Sequence, residues 1–152
     1  MTKYIVTDPC YIVGNDYIWE QFCKLWFDGK FEEAEAVVSA EVKTPVRIAE
    51  TGYGDWTNHI YGPGVIENEF FADAGMVCVC ELTKGIEDHL VEEYHRILGA
   101  IFEAEELRDV EFDDSDPDWT VVRIGTDKGI IESKNPEEDY FEEDYEEDIY
   151  ED

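Results

Sequence analysis

Residues 70–82 of the chain read FFADAGMVCVCEL and contain the clearest central strand of the protein, beginning near Gly75. An apolar run of this length, bounded by a turn signal, is typical of a strand inside a sheet. Cys78 and Cys80 are two residues apart, so both thiols are expected on one face of that strand. The simplest interpretation is a pair of buried, reduced thiols.

The cysteines also allow a zinc hypothesis, in which Cys78 and Cys80 join Cys10, Cys23 or a histidine. Structural zinc sites usually draw close ligand pairs from two points in the chain. Cys10 and Cys23 are solitary, so the spacing argues against zinc. We therefore expect no metal and no other cofactor.

Outward from this strand, apolar periodicity predicts a mixture of strands and helices. The N-terminal half is predicted to contain a strand over Lys3–Thr7, which residues 11–13 could extend, a helix capped by Asn15 or Asp16 and stopped by Gly29, a helix over residues 31–40 and a strand over residues 46–49. The C-terminal half is predicted to contain a helix from Ile86 through Leu107 and a hairpin formed by residues 119–124 and 129–132. The expected fold class is α+β, with a mainly antiparallel sheet, two or three packed helices and an acidic C-terminal helix or tail.

The charge of the protein is extreme. The 152 residues include 40 acids and 11 bases, for a formal net charge of -29, while 43% of the residues are apolar. This composition supports a folded core and opposes direct binding to nucleic acid or to an anionic membrane. The N-terminus has no basic start followed by an apolar run, and no eighteen consecutive residues are apolar, so we expect a cytosolic protein.

The last eighteen residues are expected to form a separate segment, 135–152, beside a body of residues 1–134. They carry eleven carboxylates and no base, and Asn135-Pro136-Glu137-Glu138 has the order of a helix start. In a helix, Phe141, Tyr145 and Ile149 would form one apolar stripe. The predicted partner contacts in this segment are Glu137, Glu138, Asp139, Phe141, Glu142, Glu143, Asp144, Tyr145, Glu146, Glu147, Asp148, Glu151 and Asp152.

A second acidic zone lies near residues 109–118, and Asp113, Asp114, Asp116 and Asp118 are predicted to contact the same partner. Alternate oxygens from Asp114 onward resemble the opening of a calcium loop. Trp119 replaces the required glycine and no glutamate stands at the twelfth position, so a solvated acidic loop is the better interpretation.

Three short motifs resemble small phage-encoded proteins of uncharacterised role: Asp8-Pro9-Cys10-Tyr11, Gly54-Asp55 and Ala72-Asp73-Ala74-Gly75. The similarity spans roughly the first eighty residues. It implies a phage origin, and hence the cytoplasm of a bacterial host, but no mechanism.

Charge and resemblance together lead to a function hypothesis. The protein is expected to be a phage inhibitor of a bacterial defence system, an anti-CRISPR or anti-restriction protein that mimics nucleic acid and occupies the basic channel of a nucleic-acid-binding host protein. The alternative is an interaction module that binds a host factor through a surface formed by Trp19, Trp26 and Trp56, with a solubilising tail. An enzyme acting around Asp55, His59 and Asp73 has no triad, phosphate loop or metal signature to support it, so no catalytic residue is predicted.

Overall fold

The computed structural model of the protein describes residues 1–51, 56–116 and 119–134. The helices of this part of the chain are α1 (Pro9–Ile12), α2 (Asp16–Phe27), α3 (Phe31–Val42) and α4 (Lys84–Tyr94). Its strands are β1 (Thr2–Thr7), β2 (Arg47–Glu50), β3 (Trp56–Tyr61), β4 (Val65–Glu67), β5 (Glu69–Ala72), β6 (Met76–Glu81), β7 (Ala100–Ala104), β8 (Leu107–Asp116), β9 (Trp119–Thr126) and β10 (Gly129–Lys134). The α+β class is confirmed. Residues 52–55, which include the Gly54-Asp55 motif, and the C-terminal segment, residues 135–152, lie outside the described residues.

The strands form two antiparallel sheets. Sheet I has the order β2-β6-β1-β7-β4, and sheet II has the order β5-β3-β10-β9-β8. Ile5 belongs to a core cluster shared with the helices, whereas the next residue, Val6, belongs to a cluster shared with sheet II. Successive side chains of a strand point to opposite faces. Sheet I is therefore the middle of three layers, with the helices on one face and sheet II on the other.

Strand β6 shows why the run at residues 76–80 is apolar at every position. Met76, Cys78 and Cys80 pack in the helix-side cluster, while Val77 and Val79 pack between the two sheets. The strand pairs with β1 on one side and β2 on the other. The prediction of a central strand with both thiols on one face is confirmed.

Helices α2 and α3 also follow the prediction. The Asn15 side chain accepts hydrogen bonds from the backbone N–H groups of Tyr17 (2.9 Å) and Ile18 (3.2 Å), which caps α2. The helix ends before Gly29, whose φ of 80° lies in the left-handed region. The hairpin of β9 and β10 is confirmed as well, with Thr126 opposite Gly129 around a turn at residues 127–128.

Other predictions were wrong. The helix expected from Ile86 through Leu107 ends at Tyr94, and the apolar residues that follow it form β7. Ala100 and Phe102 face sheet II, so the spacing that suggested a helical stripe is also that of a strand buried between layers. Residues 11–13 do not extend β1, because Asp8 caps a single helical turn that begins at Pro9.

Candidate protein-binding surface

Residues 109–116 of the second predicted acidic zone lie in a strand and not in a loop, and residues 117–118 lie outside the described residues. Strand β8 is the outermost strand of sheet II, and Val110 and Phe112 pack toward the core between the sheets. Asp109, Glu111 and Asp113 therefore lie on the opposite, outer face of sheet II. These three residues, called the carboxylate row below, follow one another at about 6.7 Å, which is twice the rise per residue of a strand.

Arg123 on β9 partly neutralises the row. Its Nη1 lies 2.9 Å from Oδ2 of Asp113, and its Nε lies 3.5 Å from Oε2 of Glu132. Hydrogen bonds from Ser115 and from Arg123 lower the pKa of Asp113 to about 2. Asp113 is thus charged at neutral pH, but its carboxylate is already paired with Arg123 of the same chain.

Asp114 faces the other way and lines a groove. Together with Phe112 and Thr120 it forms one wall of a groove of about 430 Å³, whose other walls come from β2 and from helices α2 and α3. This edge groove lies where the terminal strand of sheet I meets the terminal strand of sheet II. Asp113 and Asp114 therefore lie on two different faces, because neighbouring strand residues alternate.

Aromatic rings and carboxylates line the edge groove. The rings of Trp26 and Phe31 meet edge to face with their centroids 4.6 Å apart, and Nε1 of Trp26 donates a hydrogen bond to Oε1 of Glu50 (2.8 Å). Phe31 is 51% exposed, so half of its side chain remains open to a partner. The groove combines an apolar surface with negative charge.

Arg47 and Glu35 complete the lining. The guanidinium of Arg47 lies 5.9 Å from the centroid of the Phe112 ring, and its Nε is 3.6 Å from Oε2 of Glu35. The same Glu35 oxygen accepts a hydrogen bond from the backbone N–H of Ile48 (2.7 Å). The Glu35 side chain therefore covers part of the free edge of β2.

The other predicted contact residues cannot be placed on this surface. The side chains of Asp116 and Asp118 lie outside the described residues. The same holds for the predicted contacts of the C-terminal segment, Glu137, Glu138, Asp139, Phe141, Glu142, Glu143, Asp144, Tyr145, Glu146, Glu147, Asp148, Glu151 and Asp152.

Two tryptophans of the alternative hypothesis, Trp19 and Trp26, pack around Phe22 on helix α2. The ring of Phe22 lies between those of Trp19 and Trp26, at centroid distances of 5.1 and 5.6 Å, and Trp26 is only 5% exposed. The side chain of Trp56 is not among those described. The aromatic stripe of α2 is core, and only Trp26 reaches the edge groove.

Two of the three motifs that suggested a phage origin meet in the structure. The buried carboxylate of Asp8 accepts hydrogen bonds from the backbone N–H groups of Cys10 (3.0 Å), Asp73 (2.9 Å) and Ala74 (2.7 Å), with Met76 at 3.4 Å. Burial raises the pKa of Asp8, and the N–H donors oppose this shift. Asp8 therefore ties the end of β1 to the turn between β5 and β6, a structural role that the sequence reasoning missed.

The cysteine beside Asp8 is not an activated nucleophile. Burial, together with the negative charge of Asp8, raises the pKa of the Cys10 thiol well above its ordinary value. Reactive cysteines require the opposite shift, because the thiolate is the nucleophile. The contacts between the Asp8-Pro9-Cys10-Tyr11 motif and the Ala72-Asp73-Ala74-Gly75 motif therefore support a structural role.

Two of the residues considered for catalysis, His59 and Asp73, are apart. His59 lies opposite Glu69 in the ladder of β3 and β5, and their side chains are 3.5 Å apart. Asp73 follows Ala72, and the residue of β3 that pairs with Ala72 lies three positions from His59. The two pairs are therefore about 10 Å apart along the strands. Asp55 lies outside the described residues.

Comparisons with known proteins supply no function. The sequence matches no protein-family model and no curated protein, and no solved structure matches it. Within the described ranges, no helix is long and apolar enough to cross a membrane. In the same part of the chain, no three His, Cys, Asp or Glu side chains are grouped so that they could hold a metal ion.

Proposed function

We propose that this protein is a phage-encoded inhibitor that binds the basic nucleic-acid channel of a bacterial defence protein, such as a CRISPR effector or a restriction enzyme. The observation that carries the proposal is the formal net charge of -29, which remains after all eleven bases have been counted against the 40 acids. Such a charge favours association with a basic surface and opposes contact with phosphates. The phage origin rests on the motif resemblance, and the choice of targets rests on that resemblance together with the charge.

Four of the eleven bases form ion pairs within the described part of the chain. Arg47, Lys84, Arg108 and Arg123 each pair with at least one carboxylate. Among the described residues, the carboxylates in these contacts are Glu35, Asp88, Glu106, Asp113 and Glu132. A basic partner would therefore meet many carboxylates that have no cationic neighbour in the described structure.

Charge density indicates which region would supply most of the contacts with a basic channel. Duplex DNA carries one charge per ~1.7 Å of its axis. The carboxylate row offers one charge per ~6.7 Å, about a quarter of that density. Residues 135–152 carry eleven carboxylates in eighteen positions. The C-terminal segment would therefore supply most of the phosphate-like charge, and β8 would add a second contact.

The test uses purified defence nucleases and the full-length chain. The variant E142Q/E143Q/E146Q/E147Q neutralises four carboxylates of the C-terminal segment without shortening it. We expect the wild type to block DNA cleavage, with an inhibition that weakens as salt rises, and the variant to inhibit at least tenfold less, since each screened charge contact contributes up to about 1 kcal/mol. A matched control, E32Q/E33Q/E92Q/E93Q, removes four exposed charges from helices α3 and α4 and should inhibit like the wild type.

The edge groove favours a second candidate, a protein-binding module that uses the body. In that case the four C-terminal substitutions would leave binding unchanged. Binding would instead fall when the half-exposed ring of Phe31 is removed. The C-terminal variant and a Phe31→Leu variant, compared for binding to the same partner, distinguish the two functions.

A further inference from the structure

The edge groove has the composition of a binding site for a cation. Three carboxylates, those of Glu35, Glu50 and Asp114, line it together with a single cationic side chain, Arg47. Its apolar surface is aromatic, with Trp26, Phe31 and Phe112. Aromatic faces attract cations, and the planar guanidinium of arginine stacks on them more readily than a lysine ammonium does.

Arg47 shows how a guanidinium fits this groove. It lies over the ring of Phe112, with the carboxylate of Glu35 beside it. The other side of the groove offers a similar combination without a resident cation. There, Phe31 is half exposed, and Asp114 makes no ion pair with any described residue. Glu50 uses Oε1 to accept from Trp26, and its Oε2 has no hydrogen-bond donor in the described part of the chain.

Two other occupants fit less well. A partner strand added to β2 would need its outward N–H groups, but those of Val46 and Ile48 are already accepted by Ser39 Oγ (3.0 Å) and Glu35 Oε2 (2.7 Å). The C-terminal segment of the same chain carries eleven carboxylates and no base, so the carboxylates of the groove would repel it.

We infer that the edge groove binds an arginine side chain of the partner, with the guanidinium over Phe31 and between the carboxylates of Glu50 and Asp114. The inference rests on the proposed function in one respect, namely that the partner is basic. It adds a specific anchor in the body to the diffuse charge of the C-terminal segment. Such an anchor would favour arginine-rich surfaces over lysine-rich ones.

The probe is N-acetyl-arginine amide, added to the full-length protein and followed by NMR. The indole N–H resonance of Trp26, assigned with Trp26→Phe, reports on the groove because this N–H is bonded to Glu50. We expect arginine amide to shift this resonance saturably and N-acetyl-lysine amide to bind several times more weakly. A probe with one positive charge limits the multivalent attraction of the C-terminal segment.

The variant F31L/D114N removes the ring and the free carboxylate and should weaken arginine binding about tenfold. Its matched control is F27L/E92Q, which alters an exposed phenylalanine and an exposed carboxylate outside the groove and should change affinity less than twofold. Loss of the Phe31 ring current shifts the Trp26 resonance by itself, so an unchanged urea-unfolding midpoint of free F31L/D114N verifies that the fold remains intact. Should that variant be perturbed, D114N alone, expected to bind about threefold more weakly, serves instead.

The inference is overturned if arginine amide leaves the Trp26 resonance unmoved, or if the groove variant and its control bind equally. Neither result tests whether the protein inhibits nucleases, which the C-terminal substitutions examine separately. Conversely, a protein that inhibits no nuclease can still bind arginine in the groove. The two failures are therefore distinguishable.

Discussion

Replacing Asp8 with alanine should cost more stability than other single changes at polar residues of the body. Asp8 is fully buried, and its carboxylate accepts three backbone hydrogen bonds of 3.0 Å or less, from Cys10, Asp73 and Ala74. Alanine leaves these donors unsatisfied, at about 1–3 kcal/mol for each buried donor. The removal of a desolvated charge offsets part of this loss. We expect D8A to lower the free energy of unfolding by about 3–5 kcal/mol.

Asp8→Asn provides the graded comparison. Its amide oxygen can still accept from the turn at residues 73–76, while its NH2 group faces the N–H of Cys10, so the expected loss is about 1–3 kcal/mol. Urea unfolding followed by tryptophan fluorescence measures both variants, with Asp16→Ala at an exposed position as control. A D8A protein within 1 kcal/mol of the wild type, at an unchanged m-value, would refute the structural role of this carboxylate.

Three further predictions concern the body. The pKa of Asp113 is about 2 in the folded protein, which lies below its unfolded value. The charged carboxylate therefore stabilises the fold above about pH 4, and this stabilisation is lost as the pH falls toward 2. Melting curves of wild type and D113N should converge at low pH. Gly64→Ala should lower stability by at least about 2 kcal/mol in urea unfolding, because φ is +86° and the added Cβ would lie 2.3 Å from the carbonyl oxygen of Glu103. Burial raises the pKa of Cys80 to about 12, so a thiol reagent should modify it only after unfolding, which mass spectrometry of modified peptides would show; modification of the native protein at the rate of a free thiol would contradict its burial.

The carboxylate row also has a consequence for solubility. Strand β8 is ten residues long and forms the edge of sheet II, where exposed backbone groups could pair with another chain. Charged side chains along an edge strand oppose such pairing. Asp109, Glu111 and Asp113 would therefore keep the edge unpaired even without a partner, and both roles follow from the same placement.

Local signals were sufficient for several elements. Helix α2 was predictable because Asn15 offers a cap, the apolar spacing is helical and Gly29 allows a left-handed stop. The hairpin of β9 and β10 was predictable because two apolar alternating runs flank a short turn. Strand β7 was not, since Ile97 through Phe102 satisfy both a helical and a strand spacing, and only the neighbouring layers select between them.

The candidate surface was predictable only in its chemistry. The acidic zone near residues 109–118 was visible in the composition, but its division between the outer face of sheet II and the edge groove depends on the alternation of β8. No local pattern indicates that Glu35, Arg47 and Phe112 meet, because they come from three separate elements.

The sequence by itself determined the charge, the apolar run of β6 and the caps of α2, because these depend on residue type and on spacing within a few positions. Only the tertiary structure decided that a second sheet covers the first, that Asp8 holds the turn before β6 and that Asp114 and Phe31 share a groove. Such contacts join residues far apart in the chain, and their formation depends on which surfaces pack together when the whole core excludes water.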